Sequence, residues 1–376
     1  CPRVPGMELR ARIQELVLAE PFEIARGVST HEPTLVVEIE HDGIVGFGEG
    51  APVDYHGETT AAMLAEASGV VPARFGADPF ALEAIMRRLR SEGLMGGTRM
   101  AVDGALHDWI GKRLGQPTWR LLGLEPVSPA TSFPIGIDSV EGTADKVRRA
   151  QGYRILKVKV GGAADLERLE AGRAGFAGPI RIDGNEGWDI DIARAITPDL
   201  LRLGIEFVEQ PFHRDDLDAY RAYRELDRRL PVILDESCQD ASDVPVAAEL
   251  ADGVNIKIAK TGGIRGGFSL ARAARAHGLD VMIGCMIESE LGIGQAAQIA
   301  SLTDFVDLDG HLLIEEGPFG GLGLVDGVVT VSERPGIGVD ARGRSASPSS
   351  RRASGSAPTP RRGTASCASA TATWPA

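Results

Sequence analysis

Three acidic residues recur at equal spacing in the middle of this chain, and each ends a short apolar run. Asp183 ends IRID, Glu209 ends IEFVE and Asp235 ends VILD, and both intervals are 26 residues. A strand, a crossover helix and two short loops occupy about that length, because parallel strands cannot be joined by a tight turn. The spacing therefore predicts three successive parallel strands with their acids at one end, where a barrel gathers ligands for a hard divalent cation.

The same rhythm extends on both sides of these acids. Short β-rich runs alternate with helical patterns from about residue 131 to residue 309. Eight strands with helices between them predict a (β/α) barrel. The runs are TSFPIGI (131–137), ILKVKV (155–160), RID (181–183), EFVE (206–209), VILD (232–235), VNIK (254–257), VMIG (281–284) and FVDLD (305–309).

The first part of the chain has the pattern of an α+β domain. Residues 8–18 alternate like a strand, and two further runs flank an Asp42-Gly43 turn that predicts a hairpin. Those runs are 34–40 and 44–50, and helical stretches follow at 58–71, 79–91 and 98–115. We predict a capping domain over 7–128, the barrel over 129–322, a segment returning to the capping domain over 323–340 and a disordered tail over 341–376.

The predicted tail holds six arginines and no Asp, Glu, Leu, Ile, Val or Phe, so it cannot bury a core.

Composition and charge exclude several classes of protein. The net charge of −13 argues against a nucleic acid or an anionic membrane as partner. The four cysteines form no CxxC pair and no apolar run is long enough to span a bilayer, which predicts a reduced cytoplasmic protein.

Lysines accompany the acids. Lys157 and Lys159 alternate in LKVKV and therefore face the same side of their strand. An edge strand with a solvated basic face is the other meaning of this pattern, but edges are few in a parallel series. Lys257 ends the sixth strand, opposite Lys159 in a closed ring. Two amines flanking a substrate suit removal of a proton from one face and its return to the other.

The chemistry of such a pair requires a cation. A hydrogen α to a carboxylate is too weakly acidic for an unaided side chain, and a divalent ion on that carboxylate would stabilise the enediolate that forms. A lysine base must also be neutral, and we expect burial and neighbouring cations to lower its pKa. Asp307 and Asp309 in DLDG are a further pair at the end of the eighth strand, either a turn motif or a clamp for a substrate ammonium group.

The chain resembles the enolase superfamily, its muconate-lactonizing subgroup and, within that, the dipeptide epimerases. The resemblance runs from about residue 8 to residue 340, and the motifs occur in the order found in that family. They are LKVKVGG (156–162), DGNEGW (183–188), VEQPF (208–212), LDES (234–237), NIKIAKTGGI (255–264) and GCMIES (284–289).

The resemblance implies a modified (β/α)7β TIM-like barrel with an α+β capping domain. It implies that Mg²⁺ is held by Asp183, Glu209 and Asp235. It also implies that Lys159 and Lys257 are the acid/base pair of the reaction. All five residues are present in this sequence.

Four further residues are implied to bind substrate. Lys157 would support the substrate carboxylate, while Asp307 and Asp309 match the pair that holds a dipeptide's α-ammonium group. The segment PFEIARG (21–27) is similar to the loop that closes over the substrate, and its Arg26 would pair with an acidic side chain. An ordinary surface arginine is the alternative reading of Arg26.

The expected function is Mg²⁺-dependent epimerisation at the α-carbon of the C-terminal residue of an L-Ala-D/L-Glu-like dipeptide, in the recycling of cell-wall peptide. N-acylamino acid racemase, o-succinylbenzoate synthase and muconate cycloisomerase are alternatives with the same metal and lysines. A non-catalytic relative is disfavoured because no lysine or ligand acid is missing. The expected partners are a small dipeptide and further copies of the chain, since such barrels often associate.

Overall fold

The computed structural model describes residues 7–69, 78–162, 164–226 and 229–343, and its first part is an antiparallel sheet covered by helices. The predicted hairpin is confirmed: Asp42 and Gly43 join the second and third strands with positive φ angles of 51° and 74°. The elements are β1 (Glu8–Ile24), β2 (Gly27–His41), β3 (Ile44–Gly50), a 3-10 helix (Asp54–His56), α1 (Thr60–Gly69), α2 (Leu82–Ser91), α3 (Gly96–Leu114) and α4 (Thr118–Leu121).

Two features of this sheet follow from local sequence. Helix α3 lies directly on β3 because β3 carries glycines where the two backbones approach. A Cβ on Gly48 or Gly50 would lie only 1.9 Å from a carbonyl oxygen of α3. Strand β1 continues past the predicted residue 18 to Ile24 and turns tightly into β2, with Ile24 paired with Gly27. The predicted closing loop is therefore the tip of a hairpin.

Eight parallel strands form the second part, in sequential hydrogen-bonded order. The last strand lies beside the first, so the barrel is nearly closed. Arg181 joins the two: its Nη1 donates to Ser132 Oγ at 3.2 Å and to the Val306 carbonyl at 3.1 Å. The strands are β4 (Ser132–Ile135), β5 (Ile155–Lys159), β6 (Ile180–Asp183), β7 (Ile205–Glu209), β8 (Val232–Leu234), β9 (Gly253–Lys257), β10 (Asp280–Gly284) and β11 (Phe305–Asp307).

Helices fill the connections and cover the outside of the barrel, which gives the predicted (β/α)7β architecture. Leu156 and Val158 of β5 are fully buried in the main apolar core, while the lysines that alternate with them face inward. The helices are α5 (Val140–Arg149), α6 (Asp165–Gly175), α7 (Ile190–Arg202), α8 (Leu217–Leu226), α9 (Val244–Leu250), α10 (Ile258–Thr261), α11 (Ile264–Ala276) and α12 (Glu290–Ala297), with 3-10 turns at Ala300–Leu302 and Gly310–Leu312.

The last described segment contacts the first part of the chain through Asp108, a fully buried residue of α3. Ile337 N donates to Asp108 Oδ1 at 3.0 Å, and Phe47 N of β3 donates to its Oδ2 at 2.8 Å. One carboxylate thus joins three segments that are far apart in sequence. The short strands here are β12 (Phe319–Gly320), β13 (Gly323–Val325), β14 (Val328–Thr330) and β15 (Asp340–Ala341).

The described residues up to Arg342 belong to one compact unit, so the domain boundaries stay predictions. Ala341 pairs with Phe319, and Arg342 binds Glu290, so the folded part extends slightly into the predicted tail. The remainder of that tail, from residue 344, lies outside the described residues. Among the described helices, none combines the length and the apolar character needed to cross a membrane.

Candidate active site

The three acids predicted as metal ligands lie at the carboxyl ends of adjacent barrel strands. Asp183 and Glu209 are the last residues of β6 and β7 and stand opposite each other in register. Asp235 directly follows β8. None of the three has any exposed surface. The even spacing in sequence is therefore an even spacing around the barrel.

Lys157 places its ammonium group among the acids. Its Nζ lies 2.7 Å from Glu209 Oε2, 3.1 Å from Asp183 Oδ2 and 2.6 Å from Asp307 Oδ2. Burial alone lowers the pKa of this ammonium group, but the carboxylates, Asp307 first, outweigh it and raise the pKa well above its ordinary value. Lys157 is therefore a fixed positive charge on the cavity floor.

The two predicted acid/base lysines stand on opposite sides of the acid cluster. Lys159 Nζ lies 2.7 Å from Asp183 Oδ2, and Lys257 Nζ lies 2.7 Å from Asp235 Oδ2. Their strands, β5 and β9, have three strands between them in the eight-stranded sheet. In a nearly closed ring of eight, that separation places the two amines across from each other.

The protein's own charges act against the expected lowering of a lysine pKa. Burial favours the neutral amine of Lys257, but Asp235 and then Glu236 outweigh it and raise its pKa well above the ordinary value. The same contacts act on the acids: despite burial, Lys257 and Lys260 hold the pKa of Asp235 below its usual range. Burial and the neighbouring Asp183 raise the pKa of Glu209 to about 7.

Two carboxylate oxygens of this cluster have the chemistry of divalent-cation ligands. In the described part of the chain no three Asp, Glu, His or Cys side chains are grouped as ligands of one ion, because lysine ammonium groups lie between the carboxylates. Glu209 Oε2 and Asp235 Oδ2 are nevertheless buried without a hydrogen bond. A lysine Nζ lies 2.7 Å from each, but without hydrogen-bond geometry. Buried anionic oxygens with free lone pairs are the ligands that Mg²⁺ and similar ions prefer.

The DLDG motif contributes two carboxylates that differ in environment. Asp307 ends β11 and binds Lys157, whose charge overcomes burial and lowers the Asp307 pKa. The eighth strand was predicted to extend to Asp309, but it ends at Asp307. Asp309 lies beyond the strand, directly before the 3-10 helix Gly310–Leu312. Burial, and then Asp307, raise the pKa of Asp309 well above its usual range. Asp309 makes no ion pair with any described residue.

Arg26 lies at the tip of the first hairpin and faces the barrel. Its Nη1 donates to Glu236 Oε1 at 2.5 Å and lies 3.6 Å from Glu186 Oε2. The guanidinium also lies 5.3 Å from the centre of the Tyr55 ring, and Arg214 lies 5.4 Å from the same ring. Arg26 is thus anchored to the barrel through Glu236 and is not an ordinary surface arginine.

Sequence reasoning missed two residues that hold the acids in place. Lys260 is buried and donates to Asp235 Oδ1 at 2.7 Å and to the Cys238 and Asn255 carbonyls. Asn255 donates from Nδ2 to Glu209 Oε1 at 2.8 Å. The one available signal is the alternation of Asn255 with Lys257 along β9, which puts both side chains inside the barrel.

One cavity of about 190 Å³ collects the predicted substrate-binding groups. Its barrel side is formed by Lys157, Lys159, Lys257, Asp307 and Asp309, and its other side by residues of the first hairpin and the following loop, including Phe22, Ile24, Arg26, Glu32 and Asp54. None of the three buried acids lines this cavity, but each lies beside a lysine that does. A small molecule with both charges would find partners for each.

Comparison with known proteins assigns both parts of the chain. Residues 7–123 match the model "Mandelate racemase / muconate lactonizing enzyme, N-terminal domain", and residues 140–345 match "Enolase C-terminal domain-like". An L-Ala-D/L-Glu epimerase of Bacteroides thetaiotaomicron is 38% identical over 329 residues, which cover 86% of this chain and 85% of that protein.

Two solved structures of dipeptide epimerases have the same fold. That of Enterococcus faecalis V583, complexed with Mg and L-Leu-L-Tyr, is 30% identical with a TM-score of 0.83, covering 89% of this chain and 99% of that chain. That of Methylococcus capsulatus, complexed with Mg and L-Arg-D-Lys, is 33% identical with a TM-score of 0.83 and the same coverage. The substrate thus varies among relatives. The chain belongs to the mandelate racemase/muconate lactonizing group of the enolase superfamily and is an isomerase of the dipeptide epimerase type.

Proposed function

We propose that this chain epimerises the α-carbon of the C-terminal residue of a dipeptide, with Lys159 and Lys257 as the two acid/base groups. The observation that supports this assignment is their placement across the barrel from each other, each beside a different buried acid. An α-carbon held between them would lose its proton to one amine and regain a proton from the other. Such a transfer inverts the configuration.

Asp183, Glu209 and Asp235 would hold one divalent cation, Mg²⁺ in the solved relatives named above. When bound, it would neutralise the charge that develops on the substrate carboxylate as the α-proton leaves. Lys157 would act on the same carboxylate from the protein side, because its ammonium group is buried and kept charged by three acids. Lys157 and the three acids are buried, which strengthens both interactions.

Asp307 and Asp309 would hold the α-ammonium group of the dipeptide. Asp309 supports this role because it lines the cavity, is buried and has no cationic partner among the described residues. A buried carboxyl without a partner binds a cation favourably, since the ligand supplies the missing counter-charge. This clamp separates a dipeptide from an N-acylamino acid, which carries no charge on that nitrogen.

The C-terminal side chain would be acidic, as in L-Ala-D/L-Glu. Arg26 supports this preference because only its Nη1 is used in the described structure, by Glu236. The Nε and Nη2 donors have no acceptor among the described residues, and Arg26 lines the cavity. Since the planar guanidinium can bind a carboxylate through two nitrogens, an anchored Arg26 could receive a glutamate side chain without moving.

A cationic side chain is the second candidate, and a specific observation favours it. Glu32 and Asp54 line the same cavity and make no ion pair among the described residues. Burial also raises the pKa of Glu32, a cost that a cationic ligand would remove. The two candidates therefore depend on different residues of the same wall.

Exchange of the substrate α-hydrogen in D₂O, followed by NMR with Mg²⁺ present, tests the proposal. The panel is L-Ala-L-Glu, L-Ala-L-Lys, L-Ala-L-Leu and N-acetyl-L-Glu. We expect α-hydrogen exchange with L-Ala-L-Glu, and Arg26→Gln should weaken the exchange of this dipeptide selectively. Glu32→Gln, a change of one charge on the same cavity wall, is the matched control. Selective weakening of L-Ala-L-Lys by Glu32→Gln would assign the cationic class instead. If no dipeptide exchanges its α-hydrogen, the proposed reaction is wrong.

A further inference from the structure

A second cavity, of about 440 Å³, lies between the capping part and the barrel. Its walls come from helices α2 and α3, from the loop after β8, and from the turn between α10 and α11. It shares no lining residue with the proposed active site. Nothing in the proposed reaction uses it.

Positive charge is concentrated in this cavity. Four arginines line it, Arg87, Arg90, Arg99 and Arg265, against two carboxylates, Glu83 and Asp240. Arg90 Nη2 lies 2.5 Å from Asp240 Oδ2, and Arg265 pairs with Glu83. That pairing leaves Arg87 and Arg99 without a carboxylate partner in the described structure. In a chain with a net charge of −13, an excess of two positive charges in one cavity is unexpected.

Arg99 is held in position without a counter-ion. Its Nε donates to the Leu94 carbonyl at 3.1 Å, and no described acceptor is bound to its two Nη atoms. Gly262 leaves room for the guanidinium, because a Cβ there would lie 2.7 Å from Arg99 Cζ. Burial and the nearby Arg90 lower the pKa of Arg99. The guanidinium is therefore held by one hydrogen bond and partly desolvated, and no described carboxylate forms an ion pair with it.

The helix that begins at this cavity adds little to its attraction for an anion. Helix α11, which is 13 residues long, begins at this cavity, and Arg265 of its first turn lines the wall. The amino end of a helix carries a partial positive charge. Asp103 already caps the Ile264 amide there, so the arginines remain the main attraction for a ligand.

We propose that this cavity binds a small dianionic oxyanion, either a phosphate ester or a dicarboxylate, through Arg87 and Arg99. Two charges on the ligand match the excess of two on the protein, and guanidinium groups bind phosphate and carboxylate through paired hydrogen bonds. The volume leaves space for an organic part beyond the oxyanion. A bound ligand joins α2 and α3 to Thr261 and Gly262, which directly follow Lys260, the lysine that holds Asp235.

Calorimetric titration of the full chain with inorganic phosphate and with succinate tests this site, against sodium chloride at matched ionic strength. We expect saturable binding of at least one probe. The preferred probe shows whether the site is built for a phosphate ester or for a dicarboxylate. Arg99→Gln and Arg87→Gln should each weaken binding about tenfold or more. Arg88→Gln, an exposed neighbour on α2 outside the cavity, removes the same charge and should leave binding unchanged.

Three results would overturn the proposal. The wild-type chain could bind neither probe saturably. The three variants could weaken binding equally, which would indicate general charge attraction. Arg99→Gln and Arg87→Gln could both bind as the wild type does, which would place the anion elsewhere, for example at the active-site lysines. Arg87 is exposed and unpaired, so its variant should fold even where Arg99→Gln does not.

Discussion

The Nζ atom of Lys157 lies 2.6 Å from Oδ2 of Asp307, which ties β5 to β11 across the floor of the proposed active site. The two residues carry the charges that the carboxylate and the α-ammonium of a dipeptide require. A bound dipeptide would therefore replace the Lys157–Asp307 ion pair with two new ones. Lys157 would pair with its carboxylate and Asp307 with its α-ammonium group, with little change in total charge. Such a site favours a ligand that carries both charges over one that carries a single charge.

Removal of either acid/base lysine should slow turnover strongly, and each variant should lose α-hydrogen exchange from a different epimer. We expect Lys159→Met and Lys257→Met each to lower the rate roughly 10²- to 10⁴-fold, the usual share of a general acid or base. Exchange of the α-hydrogen in D₂O should be measured for each epimer separately. Loss of exchange from the same epimer in both variants would contradict the placement of the lysines on opposite faces.

Asp309→Asn should separate dipeptides from N-acylamino acids. Loss of the carboxyl group that would pair with the α-ammonium should lower kcat/KM for a dipeptide roughly tenfold to a hundredfold, since a hydrogen bond to a charged group contributes about 1.5–3 kcal/mol. Any turnover of N-acetyl-L-Glu should be unaffected. An equal loss of kcat/KM for both substrates would mean that Asp309 does not bind the α-ammonium group.

A divalent cation should stabilise the folded chain through the three buried acids. At a Mg²⁺ concentration 100 times its Kd, the free energy of unfolding should rise by about 2.7 kcal/mol, because the ion binds only the folded state. Asp183→Asn and Glu209→Gln should abolish the increase in thermal midpoint on titration. Asp54→Asn, which changes an exposed acid of the same cavity, is the control and should retain it.

Glu288 should make stability depend on pH. Burial, and then the neighbouring Glu49, raise its pKa from 4.5 to about 8. The folded state thus binds this proton more tightly than the unfolded chain, so the stabilisation is complete below pH 4.5 and declines as the pH rises through about 8. The decline amounts to a few kcal/mol at most.

Denaturant unfolding between pH 5 and pH 9 measures this contribution. Glu288→Gln should give a flatter profile than the wild type, because the neutral amide has no proton to lose. Glu141→Gln, an exposed carboxyl on α5, should leave the profile unchanged. Parallel profiles for the wild type and Glu288→Gln would mean that Glu288 is ionised in the folded protein without cost.

The repeating part of this fold was predictable from sequence because its determinants are local. An apolar strand that ends in an acid, repeated after a helix, fixes which end of the barrel the acid occupies. The alternation of Lys157 with Val158 likewise fixes which side faces inward. The Asp42-Gly43 hairpin belongs to the same class, since two adjacent residues determine the turn.

The contacts that the sequence did not predict are long-range or lie where two elements meet. Arg26 binds Glu236 across 210 positions, and Lys260 binds carbonyl groups of the loop after β8. Neither partner is implied by the local pattern around the basic residue. Asp309 was misplaced for a different reason: a strand pattern of alternating residues does not reveal where the strand gives way to a 3-10 turn.

The carboxylate of Asp108 has a consequence for how the chain is made. It accepts hydrogen bonds from Phe47 and from Ile337, so the α+β part near the amino terminus acquires one of its buried contacts only from the far end of the polypeptide. During synthesis on the ribosome, this contact can form only after nearly the entire barrel has been made. Until then the α+β part should remain more open to proteases and chaperones than the finished protein.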